Sequence, residues 1–267
     1  MEEYQKIFSV DSRVKNYDVC VFDTFKGFIN YSESFTLLIV DSSLKNYFKD
    51  YNKEIFFLEC TEETKSWENL ELVLSIFIKN RIDRKSKILL VGGGVLQDSV
   101  SFCCSIFNRG IDFEYVPTTL LSLVDSCIGG KTSINFKGFK NKLGNYYPPD
   151  KIFIIPDFLK SLSKKEIYSG YGEVFKFYIL QNRIEEFKSF SKTMMNFNRD
   201  IIVDCLKYKA SIIEVDEFDN GIRLKLNFGH TFGHAIESLA EYNVPHGIGV
   251  VFGICVANEI SEKVNLI

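Results

Sequence analysis

The chain has 267 residues, of which 46% are hydrophobic and 25% charged, a composition typical of a folded globular protein and not of a disordered one. The net charge of −3 and the scattered distribution of lysines argue against a nucleic-acid partner. At this length the chain could form one large domain or two ordinary ones.

The sequence shows no pattern typical of a membrane-spanning segment or of a secretion signal. No apolar run reaches the eighteen residues or so of a membrane span, and the N-terminus lacks a basic stretch followed by an apolar one. Seven cysteines form an odd set without a CxxC pair, which favours small buried side chains in a reducing cytosol. We therefore expect a cytoplasmic protein without a membrane partner.

The first half of the chain predicts alternating strands and helices. Compact apolar runs at 35–43, 54–60, 87–95 and 111–121 indicate buried strands, and residues 67–82 have apolar side chains at helical spacing. This order predicts an α/β fold with a parallel sheet and crossover helices.

The second half, from about Asp150, predicts helices instead. Residues 168–197 and 200–218 lack strand alternation, and so do the last fifty residues. We place a soft domain boundary near 148–150, between an α/β domain at 1–149 and a helical domain at 150–267.

A glycine triplet at 92–94 follows a predicted strand and precedes a predicted helix. Glycine lets the backbone approach a pyrophosphate, and a helix N-terminus presents unpaired N–H groups to an anion. The spacing is not GxGxxG, so a tight turn without a ligand explains the triplet equally well.

A second region suited to an anion follows the strand at 111–121. Thr118 and Thr119 offer hydroxyls at the strand end, and Asp125 precedes a glycine pair at 129–130 that is followed by Lys131. The spacing is not that of a P-loop.

A carboxylate and an ammonium lie three residues apart at Glu173 and Lys176, in a segment rich in aromatic residues. Such pairs are usually surface ion pairs worth a few tenths of a kcal/mol. A carboxylate in apolar surroundings is, however, also the ligand that joins two histidines in many catalytic zinc sites.

All three histidines of the chain, His230, His234 and His246, fall within seventeen residues. His230 and His234 are four apart and would share one helix face. Arg223, Asn227 and His230 also lie at helical spacing, so all three would face one side and offer a cation, an amide and an imidazole to a single ligand. Partly buried structural histidines are the alternative. The clustering favours a site in which imidazoles bind a metal or transfer protons.

Several long motifs in register resemble the 3-dehydroquinate synthase family, within the sugar phosphate cyclases. The resemblance extends from about Asp41 to Gly247 and rests on GGGVLQD, RG at 109–110, VPTTLLSLVDSCIGGKT, KNKLGNYYPP, SGYGEVFK, DEFDNGIRLKLNFGHTFGHAIE and the final HG.

The resemblance implies an N-terminal Rossmann-like NAD-binding domain and a helical metal- and substrate-binding domain that is shorter than in the family. It implies a cytoplasmic homodimer that uses NAD and a divalent metal, most often zinc, with cobalt possible. The implied reaction converts 3-deoxy-D-arabino-heptulosonate 7-phosphate into 3-dehydroquinate and phosphate, a step of the shikimate pathway.

By motif, the resemblance gives metal ligation to Glu173, His230 and His246. It gives NAD contacts to Asp41, Glu62, Lys65, Gly93, Gly94, Val95, Asp98, Thr118, Thr119, Asp125, Lys131 and Lys140. It gives substrate contacts and catalysis to Arg109, Lys131, Asn141, Lys176, Lys209, Arg223, Asn227 and His234, with Arg109 reaching the phosphate of a neighbouring subunit.

Two departures from the family pattern keep alternatives open. Ile248 stands where the family usually has an acidic residue, and the chain stops at Ile267 inside a helix-like stretch. The alternatives are a cyclase making 2-deoxy-scyllo-inosose or a valiolone, a metal-dependent alcohol dehydrogenase, and a catalytically inactive relative. Arg223 favours the carboxylate-bearing shikimate substrate, because a neutral sugar phosphate has less need of it.

Overall fold

The computed structural model describes residues 4–191, 199–241 and 243–265. The chain divides into two compact units, one formed by Met1–Thr118 and Cys127–Asp157, the other by Thr119–Ser126 and Phe158–Ile267. The domain boundary predicted at 149–150 lies shortly before the last crossing between the units, at Asp157–Phe158, and the short excursion at Thr119–Ser126 was not predicted.

The first unit contains the strands and three of the described helices. Its strands are β1 (Gln5–Val10), β2 (Tyr17–Val21), β3 (Leu37–Asp41), β4 (Ile55–Leu58), β5 (Ile88–Gly92), β6 (Phe113–Pro117), β7 (Lys131–Phe136), β8 (Phe139–Tyr146) and β9 (Lys151–Ile154). Its helices are α1 (Phe25–Ser32), α2 (Trp67–Lys79) and α3 (Gly94–Ile106).

Among the described residues, a seven-stranded sheet has the order β1-β2-β9-β6-β5-β3-β4. The pairs are parallel except for β1 with β2. Every residue of the interior strand β5 is buried, as expected for a strand covered on both faces. The predicted α/β fold with a mostly parallel sheet is confirmed.

Strands β1, β2, β7, β8 and β9 were not predicted from the sequence. Strand β9 has only four residues, too few to show a period, and lies where we predicted helices. Strands β7 and β8 form an antiparallel hairpin whose turn residues, Lys137 and Gly138, both have positive φ. Positive φ at both central residues is typical of a type I′ turn, in which glycine is favoured at the second central position.

The second unit is helical in its described part. Its helices are α4 (Lys164–Leu180), α5 (Ile184–Ser191), α6 (Arg199–Ile213), α7 (His230–Leu239) and α8 (His246–Lys263). Ser163 and Glu166 form a capping box that fixes the start of α4. The helix predicted at 168–197 breaks between Leu180 and Ile184, and residues 192–197 lie outside the described range.

Within the described ranges, no helix is both long enough and apolar enough to cross a membrane.

Candidate active site

Backbone contacts between glycines bring α4, α7 and α8 unusually close together. A Cβ atom on Gly172 of α4 would lie 2.1 Å from the carbonyl oxygen of Gly247 in α8. A Cβ on Gly253 of α8 would lie 1.9 Å from the carbonyl oxygen of Gly229, which precedes α7. No side chain fits at either place, so these contacts require glycine. They hold the first turn of α8 against the middle of α4, and the start of α7 against the middle of α8.

We expect the substitution Gly172→Ala to destabilise the protein by about 3 kcal/mol, because the added methyl group forces the two backbones apart. Alanine normally stabilises a helix relative to glycine by up to about 1 kcal/mol, so the predicted sign is the reverse of the ordinary one. Urea unfolding followed by circular dichroism measures the change. The exposed substitution Ser211→Ala in α6 is the control, and a stabilised Gly172→Ala protein would contradict the packing account.

Four potential metal ligands converge where these helices meet. The carboxylate of Glu173 is fully buried, and its Oε1 lies 3.2 Å from Nε2 of His246 and 3.7 Å from Nε2 of His230. Potential ligand atoms of His230, His234 and His246 all lie within 4.8 Å of one another. The structure thus brings the predicted ligands together, with His234 beside them.

The chemistry of this cluster fits a divalent cation. Lys176 Nζ lies against Glu173, yet neither oxygen of that carboxylate makes a well-formed hydrogen bond to a described residue. Lys176 compensates the charge of this buried carboxylate, and a metal ion bound to the oxygen that faces the imidazoles would satisfy its remaining lone pairs. Burial, and then the charge of Lys176, lowers the pKa of His230 to about 4. His230 is therefore neutral near pH 7, the form that binds metals, and mixed nitrogen and oxygen ligands suit zinc or cobalt.

His246 is held between two carboxylates. Its Nε2 faces Glu173, and its Nδ1 lies 2.8 Å from Oε1 of Glu237. Burial lowers the pKa of His246, but the neighbouring carboxylates of Glu173 and Glu237 outweigh it and raise the pKa to about 9. Sequence analysis did not identify Glu237, although it lies seven residues, two helical turns, after His230.

A third carboxylate, that of Asp125, lies between two buried lysine side chains. Asp125 Oδ1 lies 2.6 Å from Nζ of Lys209, and its Oδ2 lies 3.6 Å from Nζ of Lys176. Burial raises the pKa of Asp125, but the two ammonium groups lower it far more. Arg223 is also buried and donates to the carbonyl oxygen of Glu217. Lysine and arginine side chains in such surroundings are suited to a phosphate or carboxylate ligand.

The predicted common helix face of Arg223, Asn227 and His230 is wrong. Arg223 and Asn227 lie in a 3-10 helix, Ile222–Asn227, and Gly229 has a left-handed backbone with φ of 80° before α7 begins. The chain changes direction at this glycine because it must pass the backbone of α8. Asn227 lines an open groove together with Phe228 and Thr231.

In the first unit, the predicted nucleotide contacts gather at the carboxyl ends of the strands. Gly93 is the N-cap of α3, and Gly94 and Val95 form the first turn of that helix, directly after β5. Thr118 follows β6, and its N–H donates to the carbonyl oxygen of Gly92. Asp41 ends β3 and accepts a hydrogen bond from the N–H of Ser43. This edge of a parallel sheet is the usual place for a nucleotide.

A polar network links further predicted residues of that unit. Lys65 Nζ lies 2.5 Å from Asp98 Oδ2 and 2.5 Å from Asn141 Oδ1, and the hydroxyl of Ser133 lies between the same two acceptors. Sequence analysis did not identify Ser133.

Four further predicted residues, Glu62, Lys131, Arg109 and Thr119, have contacts or exposure of their own. Glu62 accepts a hydrogen bond from the amide of Asn135 and lies 3.7 Å from Lys140. Lys131 is exposed at the start of β7. Arg109 has φ of 64° in a short exposed turn. Thr119 belongs to the second unit and is hydrogen-bonded to Ser122.

Comparison with known families decides the relationship. The model of the 3-dehydroquinate synthase N-terminal family matches residues 55–169, and that of the C-terminal family matches residues 170–267. The chain belongs to the 3-dehydroquinate synthase family. It is 37% identical to the 3-dehydroquinate synthase of Clostridium tetani, over 95% of this chain and 73% of that protein. It is 38% identical to that of Alkaliphilus metalliredigens, over 85% and 68%.

Solved structures support the same fold for this family member. A 2-deoxy-scyllo-inosose synthase, in complex with carbaglucose-6-phosphate, NAD+ and Co2+, superposes with a TM-score of 0.84 and 24% identity, over 97% of this chain and 78% of that one. The 2-epi-5-epi-valiolone synthase of Streptomyces hygroscopicus subsp. jinggangensis, with NAD+ and Zn2+ bound, gives 0.77 and 23%, over 93% and 75%.

Proposed function

We propose that this chain is a 3-dehydroquinate synthase. It converts 3-deoxy-D-arabino-heptulosonate 7-phosphate into 3-dehydroquinate and phosphate by transient oxidation, phosphate elimination, re-reduction and intramolecular aldol closure. The observation that carries the proposal is the convergence of Glu173 with His230 and His246 beside the buried Lys176. Family membership supports the choice of reaction.

Glu173, His230 and His246 would hold the divalent cation, most suitably zinc, with cobalt as the alternative. When bound, the cation polarises the substrate hydroxyls that are oxidised. The buried side chains of Lys176, Lys209 and Arg223 would bind the negatively charged groups of the substrate and fix its orientation. They would also hold negative charge that develops during phosphate elimination.

His234 would transfer protons at the substrate hydroxyls. Its ring centroid lies 5.2 Å from that of His230 and 5.7 Å from that of His246, and it is the most exposed of the three. An imidazole that adjoins the cation and also reaches water is suited to general acid–base catalysis. Asn227 would add a further hydrogen bond to the substrate.

The first unit would bind NAD, which would supply the reversible hydride acceptance that the transient oxidation needs. The glycine turn at 92–94 would take the pyrophosphate at the start of α3. The other proposed NAD contacts are Asp41, Glu62, Lys65, Asp98, Thr118, Thr119, Asp125, Lys131 and Lys140. We further propose a cytoplasmic homodimer in which Arg109 contacts phosphate bound by the neighbouring subunit.

Phosphate release with catalytic NAD and added zinc tests the proposal. We expect phosphate release from the carboxylate-bearing heptulosonate phosphate, with formation of 3-dehydroquinate. We expect little phosphate release from hexose or heptulose phosphates, which lack the carboxylate. Phosphate release only from a sugar phosphate without a carboxylate would instead assign the chain to another sugar phosphate cyclase reaction. No release from any of them would overturn the proposal and favour an inactive relative.

A further inference from the structure

The hydrogen bond between His246 and Glu237 determines which nitrogen of the imidazole faces Glu173. Nδ1 lies 2.8 Å from Oε1 of Glu237, a carboxylate that can only accept when ionised. Nδ1 therefore carries a proton, and Nε2 is the nitrogen that faces Glu173 at 3.2 Å. Glu237 is almost fully buried, so water competes little for its carboxylate.

The packing of α7 on α8 leaves room for this carboxylate. A Cβ atom on Gly249 would lie 3.2 Å from Oε1 and 3.3 Å from Cγ of Glu237, closer than side chains normally pack. The absence of a side chain at Gly249 lets Glu237 lie against the first turns of α8, where His246 begins the helix. Glu237 thus reaches the imidazole from a neighbouring helix.

The sequence around His246 makes this contact significant. The residue two positions after His246 is Ile248, so the first turn of α8 itself supplies no carboxylate there. An aliphatic side chain cannot accept a hydrogen bond from an imidazole. The carboxylate that orients His246 in this chain therefore comes from α7.

We infer that Glu237 is the positioning residue of the metal site: it holds Nδ1 of His246 and so aims Nε2 at the position that the cation would occupy. The inference rests on the proposed function, because it assigns a partner to a proposed metal ligand. Hydrogen-bond partners of metal-bound histidines typically change metal affinity by 10- to 100-fold when they are removed.

Titration of the full chain with Co2+ tests this inference, using wild type, Glu237→Gln and Glu237→Ala. We expect Glu237→Ala to raise the dissociation constant by about 100-fold and to alter the visible spectrum of bound Co2+. We expect Glu237→Gln, whose amide oxygen can still accept from Nδ1, to raise it by only about 10-fold. The exposed substitution Glu259→Gln on α8 is the control and should bind like wild type.

Thermal melting of the metal-free proteins separates positioning from a merely structural role. If both variants melt at a lower temperature but bind Co2+ with unchanged affinity and spectrum, Glu237 only stabilises the helices and the inference is wrong. Equal binding with equal melting temperatures would overturn it as well. Failure of the wild-type chain itself to bind Co2+ would overturn the proposed function together with this inference.

Discussion

Replacing Glu173 by glutamine is expected to release the metal from the protein and to abolish formation of 3-dehydroquinate. The amide has no negative charge and presents an NH2 group where a ligand oxygen is needed, so the cation keeps only imidazole ligands. Metal ions stabilise transition-state charge by several kcal/mol, and the turnover number should therefore fall by roughly 10³-fold. Metal content after dialysis and phosphate release measure the two effects.

The chain offers a matched control for this substitution. Glu185 and Lys188 have the same spacing as Glu173 and Lys176, but their side chains are 80% and 61% exposed. Glu185→Gln should keep both metal content and turnover. If Glu173→Gln retained a full complement of metal, Glu173 would not be a ligand.

The substitution Asp125→Asn is expected to destabilise the protein by about 3–5 kcal/mol, because it leaves two buried ammonium groups without their shared counter-charge. Lys176 and Lys209 are almost completely buried, so water cannot replace the lost carboxylate. The free energy of unfolding in urea at pH 7 measures the effect. The control Asp204→Asn breaks a half-exposed ion pair with Arg183 and should cost no more than about 1 kcal/mol.

The difference in unfolding free energy between wild type and Asp125→Asn should depend on pH. The pKa of Asp125 is lowered by Lys209 and Lys176 in the folded chain, against the opposing effect of burial. Its stabilising contribution is therefore present above the unfolded pKa of about 3.9 and is lost as the pH falls below it. The difference between wild type and Asp125→Asn should be constant from pH 7 to 5 and shrink near pH 4 and below. A difference that grew on acidification would contradict this assignment.

Patterns local in sequence predicted four strands of the large sheet, β3 to β6, and the shared helix face of His230 and His234. The buried strands at Leu37–Asp41 and Ile88–Gly92 are continuous apolar runs, and His230 and His234 share a helix face because both lie in α7. Motif resemblance added Glu173 and His246, which the structure places next to His230.

Features that depend on packing between helices could not be predicted in this way. By spacing alone, the pair Glu173–Lys176 is indistinguishable from the exposed pair Glu185–Lys188, because both are three residues apart. The glycine contact between Gly172 and Gly247 buries the first pair, and it joins residues far apart in sequence. The change of direction at Gly229 was missed for the same reason, since its cause is the backbone of α8.

Anomalous scattering at the zinc edge, from crystals of this chain grown with Zn2+, tests the central claim most directly. The account predicts one strong peak within about 2.0–2.2 Å of a carboxylate oxygen of Glu173 and of Nε2 of both His230 and His246. A peak elsewhere, or no peak at these three side chains in zinc-containing crystals, would contradict it.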